Sequence, residues 1–172
     1  MLLLAEVNVH PDHVTLASLL AGLAFCPLYA FSKPAALTAL ALHVLLDGLD
    51  GPLARFMNVA SRRGSFTDSM ADQTVVVIST ITLMVSQQTF NIVAGSVYIF
   101  VYTMVVVFAM VRNAMHIPYS WVVRPRFAVY VWLVVELYWL PGTLTIVVWI
   151  CNILLTWKVL TGFWKIRNSI SR

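Results

Sequence analysis

The chain has 172 residues, 60% of them hydrophobic and only 10% charged, with a mean hydropathy of +0.87 and a formal net charge of +4. Soluble domains carry about 25% charged residues, so this composition excludes a globule surrounded by water. The positive balance follows from where the basic residues fall in the chain, and no nucleic-acid partner is expected from it.

In chain order, residues 1–4 are too short and too uncharged to form a secretory signal peptide. Residues 14–32 carry no charge and predict a first helix over about 14–31. Ser32-Lys33-Pro34 breaks it, and a second helix is expected over 34–57. Residues 73–111 contain no Asp, Glu, Lys, Arg or His, which is length for two spans, predicted at 66–88 and 92–114 around a turn at 87–91. Residues 127–157 contain only Glu136 as a charge, and Pro141-Gly142 divides them into helices at 122–140 and 142–164.

A membrane span takes about 20 apolar residues as a helix, and in lipid every backbone group needs an internal partner. The short alternating strands of a barrel are absent from the sequence. The expectation is therefore an all-α integral membrane protein, a single domain over 1–172 with six transmembrane helices. Lys33 is the one basic residue of eleven in the first, third or fifth connection. Arg55, Arg62 and Arg63 flank the second, Arg112, Arg124 and Arg126 the fourth, and Lys158, Lys165, Arg167 and Arg172 lie near the end. This bias places both termini on the cytoplasmic side of a cell membrane. Cys26 and Cys151 read as buried small hydrophobes rather than a disulfide. Trp132, Trp139, Trp149 and Trp164 read as lipid-facing or interface anchors. Glu136, a turn before Pro141, is expected at the outer surface, where exposure costs little.

Four of the seven acidic residues lie within 47–72, on the cytoplasmic side. One Asp at a bilayer centre costs about 2.5–3.5 kcal/mol on insertion scales. Asp47 and Asp50 are three apart and Asp68 and Asp72 four apart, so each pair shares one helix face. An antiparallel hairpin brings the pairs together near the membrane surface, where a solvated polar loop would need no such spacing. Oxygen donors without cysteine or clustered histidine select hard ions, Mg²⁺ or Mn²⁺. Two such ions would neutralise four aspartates in the arrangement used for phosphoryl chemistry. Gly48, Gly51, Ala54 and Gly64 leave bare helix surface on which a phosphate ligand can approach the backbone, although small residues also serve close helix packing. Arg55 is placed to offer bidentate donors to a phosphate or to anchor topology. His43, one turn before Asp47, is a candidate for an interhelical hydrogen bond or for orienting a carboxylate.

The run Asp47-Gly-Leu-Asp50-Gly51-Pro-Leu-Ala54-Arg55, eight further residues, then Gly64-Ser-Phe-Thr-Asp68-Ser-Met-Ala-Asp72 resembles the motif of the CDP-alcohol phosphotransferase family. The match is D-x-x-D-G-x-x-A-R followed by G-x-x-x-D-x-x-x-D at every fixed position, and "PDHVT" at 11–15 is similar to the family's first-helix start. The resemblance implies six transmembrane helices, usually a homodimer, and a polar active-site cavity open to the cytoplasm. It implies transfer from a CDP-linked lipid to an alcohol with release of CMP. By the family's pattern Asp47, Asp50, Asp68 and Asp72 would hold two divalent ions, and Asp72 would also take the hydroxyl proton. Pro11, Asp12, Thr15, Gly51, Ala54, Arg55, Ser61 and Gly64 would line the CDP-lipid site.

Arg112, Arg124 and Arg126 suit an acceptor that carries a phosphate, such as glycerol 3-phosphate or an inositol phosphate. They are equally explained as topology anchors, which leaves serine or another neutral alcohol open. Two other classes compete. An intramembrane prenyltransferase would use two separated Asp motifs, and a cation transporter would place acids along several helices. CMP formation separates the transferase from both.

Overall fold

The computed structural model describes residues 11–117 and 124–170. The reading of residues 1–4 falls outside that range, as do residues 122–123 of the fifth predicted helix. Six helices follow one another: α1 Pro11–Phe31, α2 Lys33–Phe56, α3 Arg62–Ser86, α4 Ile92–Ala114, α5 Pro125–Tyr138 and α6 Leu144–Ile170. Among the described residues there is no strand. Five of the helices are long and apolar enough to cross a membrane.

The fifth falls short of its expected span. With 14 residues it is about 21 Å long at 1.5 Å per residue, against a hydrocarbon core of about 30 Å. Its start is set by Pro125, whose fixed φ suits the first helical position. Trp139 then leaves helical backbone, and Gly142 takes φ +91°, a conformation that L side chains avoid.

The chain forms two compact units, Met1–Thr82 and Leu83–Arg172, with the boundary inside α3. In the first, α1 and α2 pack along each other. The buried face of α1 is Pro11, Val14, Thr15, Ser18, Gly22, Phe25 and Tyr29, a three-and-four spacing that puts them on one side of a helix. That of α2 is Ala36, Leu40, His43, Asp47, Asp50 and Leu53. Ser32 turns the chain between them, and its hydroxyl accepts from the Ala35 N–H at 3.4 Å, one of the donors that a helix start leaves free. At Gly22 of α1 the neighbour is Val75 of α3. A Cβ there would lie 2.7 Å from Val75 Cγ1, so only glycine admits this approach.

In the second unit α4 packs on α6, with α5 also against α6. Asn152 donates from Nδ2 to the Ala94 carbonyl at 3.0 Å, tying α6 to the start of α4. Glu136 corrects the sequence reading. It is 3% exposed and accepts from the Gly142 N–H at 2.6 Å, the Leu144 N–H at 2.8 Å and the Thr89 hydroxyl at 3.1 Å. A turn whose amides point inward needs an acceptor, and a carboxylate at a helix N-terminus also meets the favourable end of its dipole. The cysteine reading is half right: both are free, with Cys151 buried and Cys26 exposed on the outer side of α1. Trp139, Trp149 and Trp164 are exposed, while Trp132 is partly buried and donates to the Thr143 hydroxyl at 3.0 Å.

Candidate active site

The acidic residues are carried by α2 and α3 and by the connection between them. Helix α2 ends at Phe56 with Met57 as its C-cap, and Asn58 adopts φ 56°, a left-handed conformation that asparagine tolerates well. Ser61 restarts the chain as α3, its Oγ accepting from the Gly64 N–H at 3.0 Å. This cap gives Ser61 a structural task at the position that the resemblance assigns to a phosphate contact. The reversal lets Asp47 of α2 meet Asp68 and Asp72 of α3.

Three of the four predicted metal ligands converge. Asp47, Asp68 and Asp72 each offer a carboxylate oxygen within 4.8 Å of the others. Around a six-coordinate Mg²⁺ with bonds of about 2.1 Å, neighbouring oxygens lie about 3 Å apart and opposite ones about 4.2 Å. The three oxygens therefore need only a small closure to bind one ion, and the donor set is the hard one that Mg²⁺ or Mn²⁺ takes. Asp47 is buried, whereas Asp68 and Asp72 are partly exposed, so the cluster has a closed back and an open front.

Asp50 stands apart from this group. Its Oδ2 accepts from the Thr15 hydroxyl at 2.8 Å, with the Pro11 carbonyl a weaker alternative acceptor at 3.3 Å. Thr15 thus bears on a carboxylate of the site, a role more specific than flanking a nucleotide. Pro11 is buried and Asp12 exposed at the start of α1.

Of the small residues, Gly48 and Gly51 leave room, whereas a Cβ at Gly64 would lie 3.3 Å from Ser61 Oγ. A Cβ at Gly48 would meet nothing within 4 Å, and one at Gly51 only the Arg55 guanidinium at 3.9 Å. Arg55 is exposed and Ala54 half-buried. Behind the cluster lies His43, 1% exposed, with Nε2 4.0 Å from Asp72 Oδ1. Its Nδ1 is 2.9 Å from Ser18 Oγ, so the interhelical bond and the approach to a carboxylate both occur. Ser18 escaped the sequence reading. Its one signal was a polar side chain three residues after Thr15, on the same face of an apolar helix.

The arginines of the second unit separate into two kinds. Arg112 and Arg126 are 6% and 2% exposed, whereas Arg124 is exposed. An anchor in the headgroup layer keeps its guanidinium in water, so burial sets Arg112 and Arg126 apart from that role and leaves Arg124 consistent with it. Arg126 also lies over the Phe127 ring at 4.9 Å, a cation–π contact.

Comparison with known proteins gives matches in both sequence and fold. The family pattern described as CDP-alcohol phosphatidyltransferase matches residues 8–164. An archaetidylinositol phosphate synthase of Aeropyrum pernix is 41% identical over 71 residues, 41% of this chain and 37% of that protein. A CDP-diacylglycerol–serine O-phosphatidyltransferase of Mycobacterium tuberculosis is 37% identical over 68 residues, 39% of this chain and 24% of that protein. The matched stretches thus span little more than a third of the first curated relative's length and about a quarter of the second's. In fold, the chain is similar to the crystal structure of Mycobacterium tuberculosis phosphatidylinositol phosphate synthase with CDP-DAG bound. The TM-score is 0.77 at 19% identity, over 95% of this chain and 89% of that one.

Proposed function

The chain belongs to the CDP-alcohol phosphatidyltransferase family, and on that footing we propose that it transfers a phosphatidyl or similar lipid-phosphate group from a CDP-linked lipid, such as CDP-diacylglycerol, to the hydroxyl of a small alcohol. CMP is released. The observation that carries this reading is the convergence of Asp47, Asp68 and Asp72 on a face kept bare by Gly48 and Gly51. CMP formation is what separates this reading from a prenyltransferase or a cation transporter.

Asp47, Asp68 and Asp72, joined by Asp50, would hold two divalent ions, Mg²⁺ or Mn²⁺. Bound there, the ions supply charge neutralisation on the diphosphate and on the departing CMP. The remaining work belongs to side chains. Arg55 binds the diphosphate, and Gly51, Ala54 and Gly64 admit the CDP moiety close to the backbone, with Pro11, Asp12, Thr15 and Ser61 at its edges. The acceptor oxygen attacks the lipid-bearing phosphorus, forming one P–O bond as the P–O bond to CMP breaks. Its proton passes to Asp72. Alignment rather than basicity drives that transfer, since a carboxylate among cations is a weak base.

The acceptor proposed is a polyol phosphate, glycerol 3-phosphate or an inositol phosphate. The burial of Arg112 and Arg126 supports it, as do two relatives named for inositol phosphate products. Serine is the second reading, favoured by the mycobacterial relative named for that acceptor. The protein is proposed to act as a single transmembrane domain, a homodimer in the cell membrane, with both termini and a polar cavity facing the cytoplasm.

The test is CMP release by the purified full chain with CDP-diacylglycerol and a panel of acceptors. Activity is expected with one phosphorylated polyol, to vanish in excess EDTA, and to return with Mg²⁺ or Mn²⁺. Undiminished turnover after exhaustive chelation would sink the metal assignment, and release of CMP with serine alone would transfer the choice to the second reading.

A further inference from the structure

Thr15 does not bond as the other threonines of the helices do. A threonine hydroxyl inside a helix commonly turns to the carbonyl four residues back, and Thr38, Thr74, Thr80, Thr82 and Thr103 do so at 2.7–2.9 Å. At Thr15 that carbonyl, of Pro11, lies 3.3 Å away, and the hydroxyl reaches Asp50 Oδ2 on α2 at 2.8 Å instead. Thr15 is 8% and Asp50 5% exposed. The polarity of the bond is fixed, because an ionised carboxylate can only accept. Backbone amides cannot serve Asp50, which sits inside α2 where they are spent on the helix's own ladder.

Among the described residues this is the one hydrogen bond that Asp50 makes. Glu136 is the contrast: its oxygens accept from two amides and from the Thr89 hydroxyl, which occupies it as a brace. An ionised carboxylate has about four acceptor sites, so Asp50 keeps capacity for a cation, and a single donor leaves its buried charge short of compensation. Asp47, three residues earlier on the same helix face, belongs to the carboxylate cluster. The χ2 torsion of Asp is broad, with no sharp staggered minimum to fix the carboxylate plane, and the Thr15 hydroxyl supplies that restraint. We infer that Thr15 is the positioning residue for Asp50: by fixing this carboxylate from α1, it sets how tightly the ion that Asp50 ligates is held, separately from the ion held by Asp47, Asp68 and Asp72. This inference rests on the two-ion reading of the site. Groups that orient a metal ligand typically contribute about 10–100-fold in metal affinity.

The experiment titrates the purified full chain with Mn²⁺ in detergent, with saturating CDP-diacylglycerol and no acceptor, and reads bound ions by calorimetry and electron paramagnetic resonance. Wild type is expected to take two ions. Thr15→Val keeps the shape of the side chain and removes the hydroxyl. It is expected to bind one ion as wild type does and the other about 10–100-fold more weakly. Thr15→Ser retains a hydroxyl and is expected to restore the second ion. In an Asp50→Ala background, which weakens the same ion by itself, adding Thr15→Val is expected to change nothing further, since the threonine acts through Asp50. If Thr15→Val binds both ions like wild type, or if both ions weaken alike, Thr15 is an interhelical pin only and the inference is overturned. Should Thr15→Val fail to fold, Thr15→Ala is titrated in its place, and the same outcomes decide. A wild-type chain that takes a single ion overturns the two-ion reading, and this inference with it. One that takes two ions, with the second weakened by Thr15→Val, yet releases no CMP when acceptors are added overturns the transferase reading and supports this inference.

Discussion

Replacing Gly22 by alanine tests how the first unit holds its carboxylates in register. The new Cβ would lie 2.7 Å from Val75 Cγ1 and 3.1 Å from Val75 Cβ, and closer still to Cγ2. Carbon atoms in contact prefer 3.5–4.0 Å, so the shortfall is about 1 Å. Rotating Val75 offers little relief, because a β-branched side chain in a helix has one strongly preferred χ1 and its Cβ stays put. Helices α1 and α3 must separate instead, at an overpacking cost of about 1–3 kcal/mol. The displacement reaches the site directly. Val75 is three residues beyond Asp72 on α3, while α1 carries Thr15 and Ser18, which hold Asp50 and His43. Thermal melting in detergent should report the stability loss, and kcat should fall by on the order of 100-fold if the carboxylates move by about 1 Å. Adding Val75→Ala to the variant removes both methyls that clash and should restore part of each loss, with a coupling of about 0.5–3 kcal/mol. If Gly22→Ala melts and turns over like wild type, or if Val75→Ala brings no relief, the close approach of α1 to α3 does not control the site.

Arg126→Ala is expected to lower kcat/KM for a phosphorylated acceptor by about 2–4 kcal/mol, mostly through KM, since a buried guanidinium that pairs with an anion is costly to remove. Arg124→Ala, at an exposed position, should leave acceptor kinetics intact; saturation curves for the two variants decide between phosphate binding and anchoring. Glu136→Ala strips the acceptor from the Gly142 and Leu144 amides, each bond to a charged group contributing about 1.5–3 kcal/mol. It should depress the melting temperature while leaving the CDP-lipid KM unchanged, and an unaltered melting curve would refute the bracing role.

The sequence by itself determined the class of protein and the location of its chemistry. Long uncharged runs in a chain with 10% charge leave helices in lipid as the economical structure, and a motif of eight fixed positions places the carboxylates on two adjoining helices. Turn residues set most boundaries to within a few positions, because proline and glycine act on their own backbone. Tertiary structure decided what depends on contacts between residues distant in the chain. Thr15 and Asp50 are 35 positions apart and Ser18 and His43 are 25 apart, so nothing in local spacing reveals which carboxylate is held and which is left to the cluster. Glu136 looked like a surface acid because its helix ends beside it. It is buried because the amides of the following turn and Thr89, 47 residues away, converge on it. The same holds for the three arginines, which topology treats alike. Only packing separates Arg112 and Arg126 from Arg124, because burial is a property of what surrounds a side chain and not of the side chain itself.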